Sequence, residues 1–124
     1  MKLMRNQNPT CIDFFQFKGI IESNPKACPS NIDMIFERRG KFLIGEWKRE
    51  LEQLSKGQEI LLKALARQEN FFVMLICGDT DGDETVVTNF WWIATDGAFK
   101  HGGSTFAELK DFVTRWYNWA DKGG

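Results

Sequence analysis

The chain has 124 residues, 43% hydrophobic and 27% charged, which suits one domain spanning residues 1–124 and excludes disordered, collagen-like and coiled-coil chains. A formal net charge of −1 excludes a generic basic coat for nucleic acid, yet the charge is uneven: eight Lys/Arg against six Glu from Glu37 to Glu69, and five acids with no base from Asp79 to Asp96. Its three cysteines, Cys11, Cys28 and Cys77, never form a C-x-x-C pair, so neither a disulfide framework nor a thiolate zinc site is expected, and a reducing, cytoplasmic setting follows.

Met1 to Thr10 lacks the apolar core of a signal peptide, and no apolar run approaches the roughly 18 residues of a membrane span, so no membrane association is expected. Ile12, Phe14, Phe15, Phe17, Ile20 and Ile21 are spaced for one helical face, predicting a helix over Cys11 to Ser23 that Asn24-Pro25 ends. Asn31 to Glu37 and Lys41 to Lys48 are nearly continuous apolar runs joined by Arg38-Arg39-Gly40. They predict a hairpin of two core strands. Leu51, Leu54, Leu61, Leu62 and Leu65 make a helical stripe from Glu50 to Gln68, with Glu52–Lys56 and Glu59–Lys63 as i, i+4 pairs on the outer face.

Phe71 to Cys77 is a further apolar strand, followed by an acidic turn from Gly78 to Asp83 and a strand from Thr85 to Thr95. Asp96-Gly97 and Gly102-Gly103 read as turns, with His101 in a loop. Thr105 and Glu108 form a capping box that opens a last helix carrying Phe106, Leu109, Phe112, Val113, Trp116 and Trp119 on one side. Helices alternating with buried strands predict an α/β fold: a small mixed sheet with helices on both faces.

The single histidine excludes His-rich metal cages and H-E-x-x-H proteases, and makes a Ser-His-Asp triad improbable. Catalysis would have to rest on carboxylates and lysine. Asp33 interrupts one apolar strand, and Glu46 and Lys48, two apart and so on one face, interrupt the next. Burying ionised groups in core strands costs several kcal/mol each unless a partner or a metal compensates. If the turn centres between Arg39 and Gly40, cross-strand partners have numbers summing to 79, so Asp33 faces Glu46. Two converging carboxylates with a lysine one pleat further along suit a Mg²⁺ site for phosphodiester hydrolysis, where hard oxygen ligands hold the cation and an ammonium orients the nucleophile.

Asp33, a twelve-residue gap and then Glu46-Trp47-Lys48 resemble the D…(D/E)-x-K signature of the PD-(D/E)xK nuclease superfamily. The resemblance covers Asn31 to Cys77 and implies a restriction-endonuclease-like three-layer αβα fold. It further implies Asp33 and Glu46 as ligands of Mg²⁺ or Mn²⁺, Lys48 assisting the water, and Gln58, polar on an otherwise apolar helix face, supporting the site. A glutamate of the first helix binds metal in some members, a place that Glu22 would take. The proline often preceding the aspartate is replaced by Ile32, and the usual first core strand is not evident.

The resemblance is nearest to compact structure-specific members such as Holliday-junction resolvases and phage-type nucleases, which act on branched DNA as homodimers. It implies work in the cytoplasm of a bacterial, archaeal or phage-infected cell. Arg38, Arg39, Lys41 and Arg49 are candidates for contact with the DNA backbone, against a solvated turn and helix face. Phe112, Trp116 and Trp119 would supply part of a dimer interface. Trp91, Trp92, Trp116 and Trp119 are assigned to core or dimer packing ahead of base stacking. Two alternatives stay open: a structural ion-pair cluster at Asp33, Glu46 and Lys48, and a non-catalytic or partner-dependent nucleic-acid-binding module of the same fold. The Asp79–Glu84 stretch fails as a calcium loop, because Phe90 stands where a bidentate glutamate belongs. Cys28 lacks a histidine partner and is not assigned as a nucleophile.

Overall fold

The computed structural model describes residues 14–27, 29–30, 32–49 and 52–124. The described residues fall into two units, Met1–Asn31 and Ile32–Gly124. In the first unit the helix predicted over Cys11–Ser23 does not form among the described residues. Phe14–Phe17 makes a single 3₁₀ turn, and Gly19 then adopts φ +88°, a left-handed backbone that breaks a helical path. The chain continues as short turns, with Asn24 N donating to Ile21 O and Ala27 N to Asn24 O. Cys11, Cys28 and Asn31 lie outside the described residues.

The second unit is built on the hairpin. Strand β1 (Met34–Arg38) pairs antiparallel with β2 (Lys41–Lys48), matching Met34 with Gly45 and Ile35 with Ile44. This is the register summing to 79 that the sequence predicts. It requires both turn residues in the left-handed region, and Arg39 takes φ 53° beside Gly40 at 79°. Glu37 steadies the turn by accepting from Gly40 N at 2.8 Å.

Helix α1 (Lys56–Ala66) then carries the chain to β3 (Phe71–Asp81), which runs parallel to β2. The helix starts later than its apolar stripe suggests, because Ser55 caps it and Gln58 closes the capping box from the third helical position. Strands β4 (Glu84–Ile93) and β5 (Phe99–Gly103) follow as antiparallel neighbours, giving the order β1-β2-β3-β4-β5. The acidic stretch read as a turn mostly extends this pairing, so that Asp79 faces Val86 and only Gly82 and Asp83 turn.

Gly102 and Gly103, read as a turn, belong to β5. A Cβ at Gly102 would stand 2.4 Å from the Phe90 ring, so absence of a side chain lets β5 close over a fully buried phenylalanine. His101 is therefore a strand residue and not a loop residue.

Helix α2 (Phe106–Asp121), capped by Thr105, closes the unit. Successive strand residues face opposite ways, and the helices divide accordingly. Ile44, Val73 and Ile93 pack with Leu62 and Ala66 of α1, whereas Leu43, Met74, Ile76 and Phe90 pack with Leu109, Trp116 and Ala120 of α2. The result is a three-layer αβα arrangement on a mixed sheet. Only β2 of the predicted pair is a core strand: β1 lies at the sheet edge, with Ile35 55% and Phe36 43% exposed. Among the described residues no helix is long and apolar enough to cross a membrane.

Gly102→Ala should lower stability by roughly 1–3 kcal/mol, since the methyl group must displace a ring in a packed core. Chemical denaturation will read this as a lower midpoint with an unchanged slope. An unchanged midpoint would mean that β5 does not need this close approach.

Candidate functional site

The hairpin brings its two interrupting carboxylates together at its open end. Asp33 stands one residue before β1, directly beyond the Met34–Gly45 pair, so it comes beside Glu46, with which it shares a side-chain hydrogen bond. The aspartate side chain takes over where the backbone ladder stops, with Oδ2 accepting from Trp47 N at 2.8 Å. That bond holds one carboxylate oxygen beside the partner strand.

Glu46 is the one buried charged residue among those described, 8% exposed. It lies on the α1 face of β2, in the same orientation as Ile44 and Lys48. Because β2 and β3 are parallel, the crossover sets the start of α1 beside the end of β2. Gln58 thereby reaches the carboxylate, its Nε2 standing 3.5 Å from Glu46 Oε1, while its own Oε1 accepts from Ser55 N at 3.1 Å. One side chain both caps the helix and touches the site.

Burial is the main cause that pushes the Glu46 carboxyl up to about 7, followed by the hydrogen bond to Asp33 and the nearby Asp33 charge; the Lys48 ammonium pulls it back. Lys48 is half-buried and forms no salt bridge with a described residue. Asp33, Glu46, Lys48 and Gln58, expected to act together, are in one cluster. Glu22 belongs to the other unit, in an exposed turn and not a helix.

The basic residues of the hairpin are divided. Arg38 and Arg39 both pair with Asp121 at the end of α2, Arg38 Nε donating at 2.6 Å, and this holds the Asp121 carboxyl below its usual range. Arg38 also lies over Tyr117 and Lys41 over Trp119. All three occupy the turn end, roughly 16 Å of strand away from the carboxylates. Arg49 alone sits beside the site, exposed and one residue past Lys48. On α2, Trp116 is buried in the core. Phe112 and the exposed Trp119 line an apolar groove of about 330 Å³ with Phe72 and Arg115.

Sequence reasoning missed Asn89 and His101, which join Trp91 on the same sheet face as Glu46. The alternation of Asn89, Trp91 and Ile93 was the available signal. Their alignment with Glu46, however, depends on registers that include a bulge after Cys77. Compared with protein-family models, with curated proteins and with solved structures, the chain matches none.

The raised Glu46 value sets a pH dependence. Between the ordinary value of 4.5 and about 7, the folded protein keeps a proton that the unfolded chain has lost. The stabilising contribution is complete below about 4.5 and is lost as the pH rises through about 7. Denaturant titrations across this window should show wild-type stability falling with pH relative to Glu46→Gln, which keeps the shape and cannot ionise. Parallel profiles for the two proteins would remove Glu46 as the responsible group.

Proposed function

We propose that this chain is a metal-dependent nuclease of restriction-endonuclease-like fold. It would hydrolyse DNA phosphodiester bonds as a structure-specific endonuclease on branched DNA, in the manner of a Holliday-junction resolvase. The observation that carries this reading is the convergence of Asp33, Glu46, Lys48 and Gln58 at the open end of one hairpin.

The donor set fits Mg²⁺ or Mn²⁺. Such hard cations take oxygen ligands, and Mg²⁺ is commonly held by one or two carboxylates together with substrate phosphates. Among the described residues no group of three or more His, Cys, Asp and Glu side chains gathers, so Asp33 and Glu46 would be the protein's share of the coordination. When bound, the cation supplies Lewis-acid neutralisation of the phosphate and a more acidic water.

The remaining roles fall to the chain's own groups. The Trp47 N–H fixes Asp33, and the Gln58 amide restrains Glu46, so both carboxylates are oriented before substrate arrives. The Lys48 ammonium, with no salt-bridge partner among the described residues, is placed to orient the attacking water or to offset charge on the phosphate in the transition state. Arg49 is the cation best placed for the DNA backbone beside the cut. Branched substrates with paired incisions favour a homodimer, for which the groove at Phe112 and Trp119 is the candidate face.

A second reading, a non-catalytic binding module, draws on the same pair of carboxyls. A protonated Glu46 hydrogen-bonded to Asp33 is a satisfied structure that needs no cation.

Cleavage of labelled four-way junction, flap, single-stranded and linear duplex DNA with Mg²⁺, Mn²⁺ or EDTA separates the two. The nuclease reading expects metal-dependent cutting, with Asp33→Ala and Lys48→Ala each slower by roughly a hundredfold or more. Absence of cutting on every substrate, together with no thermal stabilisation by Mg²⁺ or Mn²⁺, would favour the binding module.

A further inference from the structure

The sheet row that contains Glu46 continues beyond the hairpin. Glu46 pairs in register with Leu75 on β3, Leu75 with Trp91 on β4, and Trp91 with His101 on β5. Directly paired residues share a face. Ile93, two residues along from Trp91, packs with Ile44 under α1, so the row from Glu46 to His101 lies on that face too.

The rows differ in cover. Ile44, Val73 and Ile93 are buried beneath Leu62 and Ala66. One pleat further on, at the first turn of α1, Glu46 and Leu75 are still buried, and the row opens towards β5, where Trp91 is half-buried and His101 is exposed. At the usual strand spacing, Trp91 lies about 10 Å from Glu46 and His101 about 14 Å.

The two rings are held in place. His101 Nε2 donates to Asn89 Oδ1 at 2.9 Å, and the imidazole stands edge-on to Trp91, with centroids 5.5 Å apart at 73°. Asn89 itself belongs to the next row, in line with Cys77 and Lys48. A partly exposed indole and an oriented imidazole thus extend the face that carries both Glu46 and Lys48. Aromatic surface beside a phosphate-cleaving centre suits a nucleobase that has left its stack, since every base has a π-face.

We infer that Trp91 and His101, oriented by Asn89, form a shelf that stacks an unpaired nucleotide next to the scissile phosphodiester. The inference rests on the nuclease reading of the hairpin site and narrows it: the preferred DNA has single-stranded character beside the cut. A base stacked within continuous duplex cannot reach the shelf without first being unpaired and unstacked. Flaps and open junctions meet the requirement at no such cost.

Binding without metal tests the shelf separately from catalysis. Fluorescence anisotropy of a labelled deoxyoligonucleotide and of its duplex, both in EDTA, compares wild type with Trp91→Ala, Trp91→Phe, His101→Ala and Asp33→Ala. Wild type should bind the single strand more tightly than the duplex. Trp91→Ala should weaken single-strand binding roughly tenfold or more while changing duplex binding little, and Trp91→Phe should restore most of it. Asp33→Ala should keep single-strand binding.

Equal losses on single strand and duplex, or no loss in Trp91→Ala, would overturn the shelf. If circular dichroism shows that Trp91→Ala does not fold, the exposed His101→Ala decides, and its unchanged single-strand binding would overturn the proposal. Wild type that binds single strands through Trp91 but cuts nothing with Mg²⁺ or Mn²⁺ would retain the shelf and remove the nuclease.

Discussion

Two carboxyl groups pressed together at the end of a sheet oppose folding, and the geometry around Asp33 and Glu46 answers that opposition. Asp33 is held by a backbone N–H of the facing strand and Glu46 by an amide from the first turn of a helix, and the raised affinity of Glu46 for a proton records first its burial, then its hydrogen bond to Asp33 and the Asp33 charge. Stability alone would favour apolar residues at these positions. Ile44 continues the core one pleat earlier, so the Asp33–Glu46 pair marks the point at which the sheet turns from apolar packing to paired polar groups.

That division follows the parallel crossover. An antiparallel meander would leave the end of β2 without a helix terminus. The parallel β2–β3 pair, joined through α1, brings a capped helix start to the strand end that carries Glu46 and Lys48. The opposite end of the hairpin is tied to α2 through Arg38, Arg39 and Asp121. The hairpin is thus anchored at its turn and carries its carboxylate pair at its opening, and its basic tip serves the anchor.

How much of this the sequence disclosed differs by element. The hairpin register was legible because a two-residue turn at Arg39-Gly40 leaves few pairings that keep Leu43 and Ile44 inside. The terminal helix was legible from its cap, and Gln58 from its polarity within an apolar stripe. The start of α1 was misjudged because Leu54 continues the helical spacing into residues that are not helical, while Ser55 sets the true boundary. The first-unit helix failed at Gly19, where backbone conformation overrode a regular apolar pattern. Strand β5 was missed because two adjacent glycines read as a turn unless one knows that a ring from another strand lies against them. The row from Glu46 to His101 depends on three pairings, which no local pattern encodes.

The edge position of β1 has a consequence for how the protein loses its site. This strand has one neighbour, and its outward residues Ile35 and Phe36 are largely exposed, so few buried contacts oppose its fraying. Asp33 lies just past its end. The remaining strands and both helices form the two apolar clusters with little contribution from β1. Local opening of the edge therefore removes one carboxylate while most of the core stays intact, and hydrogen exchange at the Trp47 amide should report a lower opening energy than exchange at Val73 or Met74. Warming the protein would then separate the Asp33–Glu46 pair over a range in which the sheet still gives a native spectrum.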